Sequence, residues 1–164
     1  MKDNSKNENN FDAFPFIKKL CSRFHRTAKQ LTDRYDKSET LDLRYEDDVR
    51  HLFHGVLTLF FDNIKDDEWT PAYSGKSSRK ALVLRDHRIV IDIKLVRKDL
   101  GAEEVATQLR EDIARYKHRP ECNMLICFVY DPEGQIADPA GTEKDLSTDQ
   151  DGFRVRVIVA PRRY

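Results

Sequence analysis

The sequence predicts an α/β fold in which a mixed central sheet is flanked by helices, and three observations lead to this prediction. Every second residue over 89–95 is Ile or Leu, and the two charged residues fall on the other face together with Val90 and Val96, as in a β-strand. Residues 124–130 form a continuous apolar run typical of a strand covered on both faces. Between them, apolar residues recur every three or four positions over 102–119, and this spacing indicates a helix. Pro120 ends that helix.

The N-terminal part of the chain is predicted to be a helical extension of this domain. Residues 1–10 are polar, and we expect them to be disordered. Residues 11–40 are predicted to hold an amphipathic helix, whose other face either contacts a nucleic-acid backbone or is simply solvated. The main domain is expected over 41–164. The apolar face of the helix carries Ile17, Leu20, Phe24, Ala28, Leu31 and Tyr35, and the other face carries Lys18, Lys19, Arg23, Arg26 and Lys29.

The remaining elements follow from the same patterns. A core helix is predicted to begin near Glu46, with acids in its first turn. Asp66, Asp67 and Glu68 are interpreted as a solvated turn, and one short helix is compatible with the acidic loop after residue 131. Strands are predicted over 69–73, 81–84, 89–96, 124–130 and 153–160.

Composition excludes several classes of protein. The chain has 164 residues, 29 basic and 29 acidic, and no apolar stretch near the roughly 20 residues that a membrane span needs. Its start lacks a secretory signal, so we expect a cytoplasmic protein without membrane contact. The three cysteines show no metal-binding spacing and are expected to be reduced.

Charge is segregated along the chain although the total is zero. Residues 76–98 hold eight basic and two acidic residues, whereas residues 131–151 hold seven acids and one lysine. This segregation is compatible with a phosphate-binding face and equally with two ordinary solvated surfaces.

One tripeptide could carry chemistry. Asp92-Ile93-Lys94 places a carboxylate and an ammonium on the same face of a strand, roughly 7 Å apart. Hydrolytic metal sites use such a pair, because the carboxylate binds a hard cation and the lysine stabilises developing negative charge. If Asp86 and His87 form a two-residue hairpin loop, position 81 lies directly across from Asp92. The residue there is Ala81.

Longer motifs resemble the PD-(D/E)XK nuclease superfamily, specifically its DpnII/MboI-like restriction endonuclease domain. They are DDVRHLFHGVLTLFFDNIKDDEWTPAYSGKSSR, IVIDIKLVRKDLG and QLREDIARYKHRPECNMLICFVYDPEGQI. The family carries an aspartate that matches Ala81 and an acid-x-Lys that matches Asp92 and Lys94. Glu46 matches an acid near its metal site, and Gln108 matches a helix glutamine that borders such sites.

The resemblance implies a restriction endonuclease-like fold and Mg²⁺-dependent (or Mn²⁺-dependent) hydrolysis of DNA. The implied metal ligands are Asp92, the backbone carbonyl of Ile93, Glu46 and a carboxylate at position 81. Asp112 and Tyr116, after Gln108 on the same helix, either support the site or merely pack. We expect the DNA backbone to be bound by Lys76, Arg79, Lys80, Arg97 and Lys98.

Ala81 departs from the family pattern, so this chain is expected to bind its substrate and to cut it poorly or not at all. Because Lys94 is intact, an engineered inactivating substitution is favoured over natural decay. The implied role is an antiphage, restriction-type effector that acts as a homodimer. A sensor or activator protein is a further implied partner. The alternatives are a naturally inactive nuclease fold that binds nucleic acid or a protein partner, and a nuclease that acts on RNA.

Overall fold

The computed structural model describes residues 11–34, 36–38, 40–69 and 79–162. Within these residues it shows four α-helices and six β-strands. The helices are α1 (Ala13–Thr32), α2 (Glu46–Leu57), α3 (Ala102–Tyr116) and α4 (Pro139–Leu146). The strands are β1 (Ile64–Trp69), β2 (Arg79–Leu84), β3 (Ile89–Leu95), β4 (Met124–Tyr130), β5 (Thr148–Gln150) and β6 (Phe153–Ala160).

The strands form one mixed sheet in the order β1-β2-β3-β4-β6-β5. The pairs β1–β2, β2–β3 and β5–β6 are antiparallel, whereas β3–β4 and β4–β6 are parallel. Helix α3 connects the parallel strands β3 and β4, as a parallel pair requires. The predicted α/β fold with a mixed sheet flanked by helices is confirmed.

Helices cover both faces of the sheet, so the domain has three layers. On one face α1 and α2 pack against the odd-numbered residues of β3 and the even-numbered residues of β4. On the other face α3 packs against the even-numbered residues of β3 and the odd-numbered residues of β4. Both central strands are buried along their whole length, because each is covered on two sides.

Helix α1 belongs to this core and also carries a strongly basic surface. Ile17, Cys21, Phe24 and Ala28 are buried against the sheet at intervals of three or four residues. The outer face holds five exposed cations and the helix contains no acid. These cations are Lys18, Lys19, Arg23, Arg26 and Lys29.

The structure differs from the sequence prediction at the first strand. Residues 66–68, predicted as a turn, lie inside β1, and the predicted strand over 69–73 is represented only by Trp69, because its other residues lie outside the described part. An edge strand tolerates acidic side chains that a central strand would not. The predicted short helix is α4, and β5 was not predicted. No helix in the described part of the chain is long and apolar enough to cross a membrane.

Candidate active site

The hairpin of β2 and β3 brings position 81 to Asp92 as predicted. Ala81 is the direct cross-strand partner of Asp92, and the two side chains share one face of the sheet. The connection is not the two-residue loop that was expected. It is a 3₁₀ turn over Arg85–His87 followed by Arg88 in the left-handed conformation, with φ 54°. The register is the same, because Leu84 still pairs with Ile89.

The Ala81–Asp92 pair is the last rung of this ladder. Beyond it, Arg79 and Lys80 pair with β1 alone, so β2 and β3 diverge. Glu46, the first residue of α2, reaches β3 at this point, and its Oε2 accepts a hydrogen bond from the Leu95 amide at 3.3 Å. The divergence therefore leaves the C-terminal half of β3 open to side chains from another element.

The Ile93 carbonyl faces the same edge of β3 as Glu46. The Val96 amide donates to the Tyr130 carbonyl on the β4 side, and the Leu95 amide points the other way, to Glu46. Backbone polar groups of residues two apart point to the same edge of a strand. Asp92, the Ile93 carbonyl and Glu46 thus converge where β2 and β3 separate.

A buried cluster of charged side chains surrounds Asp92. The Lys94 ammonium lies 3.1 Å from Asp92 Oδ1 and 2.8 Å from Asp112 Oδ2, and Arg79 donates to Asp112 Oδ1 at 2.8 Å. Arg79 also pairs with Glu111 at 2.6 Å. Asp92, Lys94 and Asp112 are each at most 3% exposed. We call Asp92, Lys94, Asp112, Arg79 and Glu46 the charged cluster.

Burial and mutual contact set the ionisation of this cluster. Burial raises the pKa of Asp92 well above its ordinary value, and the charge of Asp112 and a hydrogen bond with its carboxyl group raise it further, against the pull of Lys94. Burial also raises the pKa of Glu46. Burial opposes ionisation of Asp112, but the charge of Lys94 and hydrogen bonds with Asp92, Lys94 and Arg79 bring its pKa below the ordinary value.

Two carboxylate oxygens of the cluster are buried without a hydrogen-bond donor in the described part of the chain, Asp92 Oδ2 and Asp112 Oδ2. Asp112 Oδ2 still lies 2.8 Å from the Lys94 ammonium, whereas Asp92 Oδ2 has no such contact. A buried carboxylate oxygen without a partner is costly, by about 1–3 kcal/mol, and such an atom calls for a proton or a cation. Among the described residues no three His, Cys, Asp or Glu side chains form a group that could hold a metal ion. A carboxylate added at position 81 would supply a second acid directly beside Asp92.

Asp67 of β1 extends the row of acids beyond Ala81. It is the cross-strand partner of Ala81 on the side opposite to Asp92, so it lies on the same sheet face. Its carboxylate accepts a hydrogen bond from the Tyr116 hydroxyl at 2.7 Å and lies 3.2 Å from Arg119. Arg115 lies 3.6 Å from the same carboxylate. Asp67 is thus already neutralised by groups of α3 and the turn after it.

The residues expected to bind DNA occupy different settings. Lys98 is exposed just after β3, and Arg97 pairs with Asp99 at 3.0 Å. Lys80 lies 3.4 Å from Asp47. Arg79 is held inside the charged cluster, with only 12% of its side chain exposed, while its guanidinium also lies over the Trp69 ring. Lys76 lies outside the described residues.

Gln108 lies one helical turn before Asp112 and so on the same side of α3. Its backbone carbonyl accepts a hydrogen bond from Arg79 at 3.3 Å. Its side chain is half-buried. This position agrees with a residue that borders the site.

An α/β fold with an acid-x-Lys on a central strand, beside a diverging hairpin, agrees with the restriction endonuclease class that the sequence resembles. The model of the DpnII-MboI restriction endonuclease family (REase_DpnII-MboI) matches residues 15–162. The chain therefore belongs to the DpnII/MboI restriction endonuclease family, whose members act on DNA and generally use Mg²⁺. Neither the curated proteins nor the solved structures that were compared gave a match.

Sequence reasoning missed the partners that close the site. The sequence left open whether Asp112 supports the site or merely packs, and the structure places it against Lys94. The sequence assigned Arg79 to DNA binding, whereas in the structure Arg79 pairs with Asp112 and Glu111. One signal was present: Gln108, Asp112 and Tyr116 recur every four residues, which places three polar groups on one helix face.

Proposed function

We propose that this chain is a Mg²⁺-dependent DNA endonuclease of the restriction type whose Ala81 leaves out one metal-binding carboxylate. The observation that carries the proposal is the direct pairing of Ala81 with Asp92, with Lys94 two residues further along the same face. A carboxylate at position 81 would stand beside Asp92 where β2 and β3 diverge. We attribute Ala81 to an inactivating substitution, because the rest of the acid-x-Lys motif is intact.

Each residue of the site has a defined task in this proposal. In the active form, Asp92, the Ile93 carbonyl, Glu46 and a carboxylate at position 81 would hold the metal ion. A bound Mg²⁺ supplies the positive charge that polarises the scissile phosphate and lowers the pKa of the attacking water. Lys94 orients that water and stabilises the negative charge of the transition state. Gln108 positions Lys94 or the phosphate.

The surroundings of Lys94 support its role as a cation. Burial alone would lower the pKa of this ammonium, but the charges of Asp92, Asp112 and Glu46 raise it above the ordinary value. Lys94 is therefore protonated at neutral pH and donates hydrogen bonds rather than accepting a proton. It acts as an electrostatic group and not as the general base.

The wider role follows from the family and remains part of the proposal. Because one such site cuts one strand, cleavage of both strands favours a homodimer. Restriction of foreign DNA in the cytoplasm is the role that the family suggests, and a sensor or activator protein is a further partner in this proposal. Lys98, Arg97 and Lys80 flank the site and would contact the DNA backbone.

Ala81→Asp tests the catalytic proposal. Purified Ala81→Asp protein is expected to nick or linearise plasmid DNA with Mg²⁺ and to do nothing in EDTA, whereas the parent chain stays inert or nearly so. Ala81→Asn has almost the same volume without the charge and is the matched control. Adding Lys94→Ala to Ala81→Asp should abolish cleavage with little loss of DNA binding.

One result would reject the nuclease proposal. If Ala81→Asp is folded and dimerises as expected, yet cuts neither duplex DNA, single strands nor RNA, the chain is not a nuclease that lacks one carboxylate. Lys94 forms both of its ion pairs within the protein, with Asp92 and Asp112. This favours the second candidate function, a nuclease fold that binds nucleic acid or a protein without cutting. Cleavage of RNA alone would establish the third candidate function, a nuclease that acts on RNA.

A further inference from the structure

The outer face of α1 carries positive charge that the protein itself does not neutralise. We call its five exposed cations, Lys18, Lys19, Arg23, Arg26 and Lys29, the basic face. None of the five pairs with an acid in the described part of the chain. Acids are not scarce, because the chain holds 29 of them against 29 cations. Ten of the thirteen described arginines outside α1 do pair with an acid. The basic face is therefore a concentrated positive surface that is open to an anionic partner.

Helix α1 runs alongside β4 from the start of that strand to its end. At the beginning of the helix, Ala13 lines one cavity together with Met124, the first residue of β4. Further along, the ring of Phe24 meets the ring of Tyr130, the last residue of β4, edge to face, with centroids 5.0 Å apart. His25 Nδ1 lies 2.8 Å from the Tyr130 hydroxyl oxygen. The helix and the strand therefore point in the same direction.

The end of β4 lies at the same edge of the sheet as the candidate active site. Tyr130 is the direct partner of Leu95 in the parallel ladder of β3 and β4. The Leu95 amide donates to Glu46 at the site, and Lys98 follows β3 as an exposed cation. A ligand that approaches the site from this edge therefore meets the end of β3 and the end of β4 together.

The C-terminal part of α1 extends past this edge. After position 25, which lies level with the end of β4, the helix continues for seven residues to Thr32. At 1.5 Å per residue this part is about 10 Å long. It carries Arg26 and Lys29, which are three residues apart and thus neighbours on the helix surface. Lys18 and Lys19 lie further back, beside β4 itself.

We propose that Arg26 and Lys29 bind backbone phosphates of the DNA duplex that occupies the active site. The proposal rests on the proposed function and adds to it a second contact with the same DNA, on α1. Duplex DNA carries one negative charge per roughly 1.7 Å of its axis, and Arg and Lys are the usual partners of its phosphates. A duplex that lies across this edge of the sheet meets Lys98 beyond β3 and the projecting end of α1 beyond β4.

Two double variants of α1 test the proposal through DNA binding alone. In the parent chain, Arg26→Ala with Lys29→Ala should weaken the binding of a duplex of about three helical turns by roughly 10-fold. It should also reduce the salt dependence by about two phosphate contacts. Lys18→Ala with Lys19→Ala is the matched control, because it removes the same charge from exposed positions of the same helix. Its affinity and salt dependence should equal those of the parent.

Fluorescence anisotropy at several salt concentrations measures both quantities. An unchanged affinity in the Arg26 and Lys29 variant overturns the proposal. Equal losses in the two double variants also overturn it, because they would reflect the net charge of the helix rather than a contact at its end.

A second measurement needs no variant and so does not depend on how the variants fold. Acetylation of lysine amines in the parent chain, followed by peptide mass spectrometry, reports which lysines a bound duplex covers. Saturating duplex should protect Lys29 and Lys98 and leave Lys18 and Lys19 as reactive as in the free protein. Equal reactivity of Lys29 with and without the duplex overturns the proposal.

These results separate the contact on α1 from the nuclease proposal. If Lys98→Ala weakens duplex binding but the Arg26 and Lys29 variant does not, DNA binding at the site stands and the contact on α1 fails. If the α1 variant weakens binding but Ala81→Asp never cuts, the contact on α1 stands and the nuclease proposal fails.

Discussion

Ala81 lies directly across one ladder from Asp92 and directly across the other from Asp67, so its methyl group stands between two acids of the same sheet face. A side chain at this position meets negative charge on both sides. The chemistry of position 81 therefore affects stability as well as activity, and the two effects can be measured separately.

Ala81→Asp is expected to lower the free energy of unfolding in EDTA by about 1–3 kcal/mol, because it buries a third carboxylate between Asp67 and Asp92. Millimolar Mg²⁺ should restore most of this loss by binding to the folded state. Urea unfolding with EDTA or Mg²⁺ measures both values. Ala81→Asn should show no response to Mg²⁺, and an equal lack of response in Ala81→Asp would contradict the expectation.

Lys94→Met should destabilise the fold by about 3–5 kcal/mol, because it removes the ammonium that Asp92 and Asp112 share and leaves buried acids without it. Lys98→Met is the control, since Lys98 is an exposed lysine four residues along the chain. It should be nearly neutral. Chemical denaturation of both variants is the measurement, and comparable losses in the two would disprove the role of the charged cluster in stability.

Asp92 should make the fold less stable as the pH rises. Its pKa in the folded chain lies well above 3.8, so above pH 3.8 the unfolded chain loses this proton while the folded chain keeps it. The unfolding free energy then falls by about 1.4 kcal/mol per pH unit until the folded group ionises. Asp92→Asn lacks this dependence. In EDTA, the unfolding free energy of Asp92→Asn relative to the parent should therefore increase from about pH 4 upward. If the difference between the two unfolding free energies stays constant with pH, the raised pKa of Asp92 is contradicted.

Lys98 and Arg79 should respond differently to replacement by alanine, although both were expected to bind DNA. Lys98→Ala should weaken binding of all duplexes alike and reduce the salt dependence by about one phosphate contact, with stability unchanged. Arg79→Ala should lower stability, because it leaves Asp112 and Glu111 without their shared partner. Fluorescence anisotropy at several salt concentrations and thermal unfolding distinguish the two. If Arg79→Ala is as stable as the parent but binds DNA more weakly, Arg79 contacts DNA as the sequence predicted.

The three thiols should be unreactive in the native protein. Cys21, Cys122 and Cys127 are at most 5% exposed, and burial raises the pKa of each, that of Cys122 to about 11. Because the thiolate is the reactive form, Ellman's reagent at pH 8 should label none of them until guanidinium is added. Rapid labelling of one thiol without denaturant would show an opening of the core.

The sequence was sufficient for the parts of the fold that rest on local patterns. The alternation in β3 and the short connection after Leu84 fixed the pairing of Ala81 with Asp92, although the turn itself differs from the predicted one. The continuous apolar run of β4 likewise identified a strand covered on both faces. These predictions hold because side-chain period and hairpin geometry depend on neighbouring residues.

The rest depends on packing between distant elements. β1 was missed because two of its three consecutive acids are stabilised by distant residues, Asp66 by Arg50 and Asp67 by Tyr116 and Arg119. No local pattern reveals the positions of these partners. The role of Asp112 was missed for the same reason, since its contact with Lys94 exists only once α3 lies on the sheet. Segments with few apolar residues carry little periodic signal, so their structure follows from partners elsewhere.

The last rung at Ala81 and Asp92 has a mechanical consequence. Past this point the β1–β2 ribbon is no longer paired with β3, so the two strands separate from an apex at Ala81 and Asp92. Ladder hydrogen bonds hold neighbouring strands about 4.8 Å apart. Groups placed at positions 81 and 92 therefore keep a fixed spacing, whereas no ladder bond sets the distance from Arg79 and Lys80 to β3.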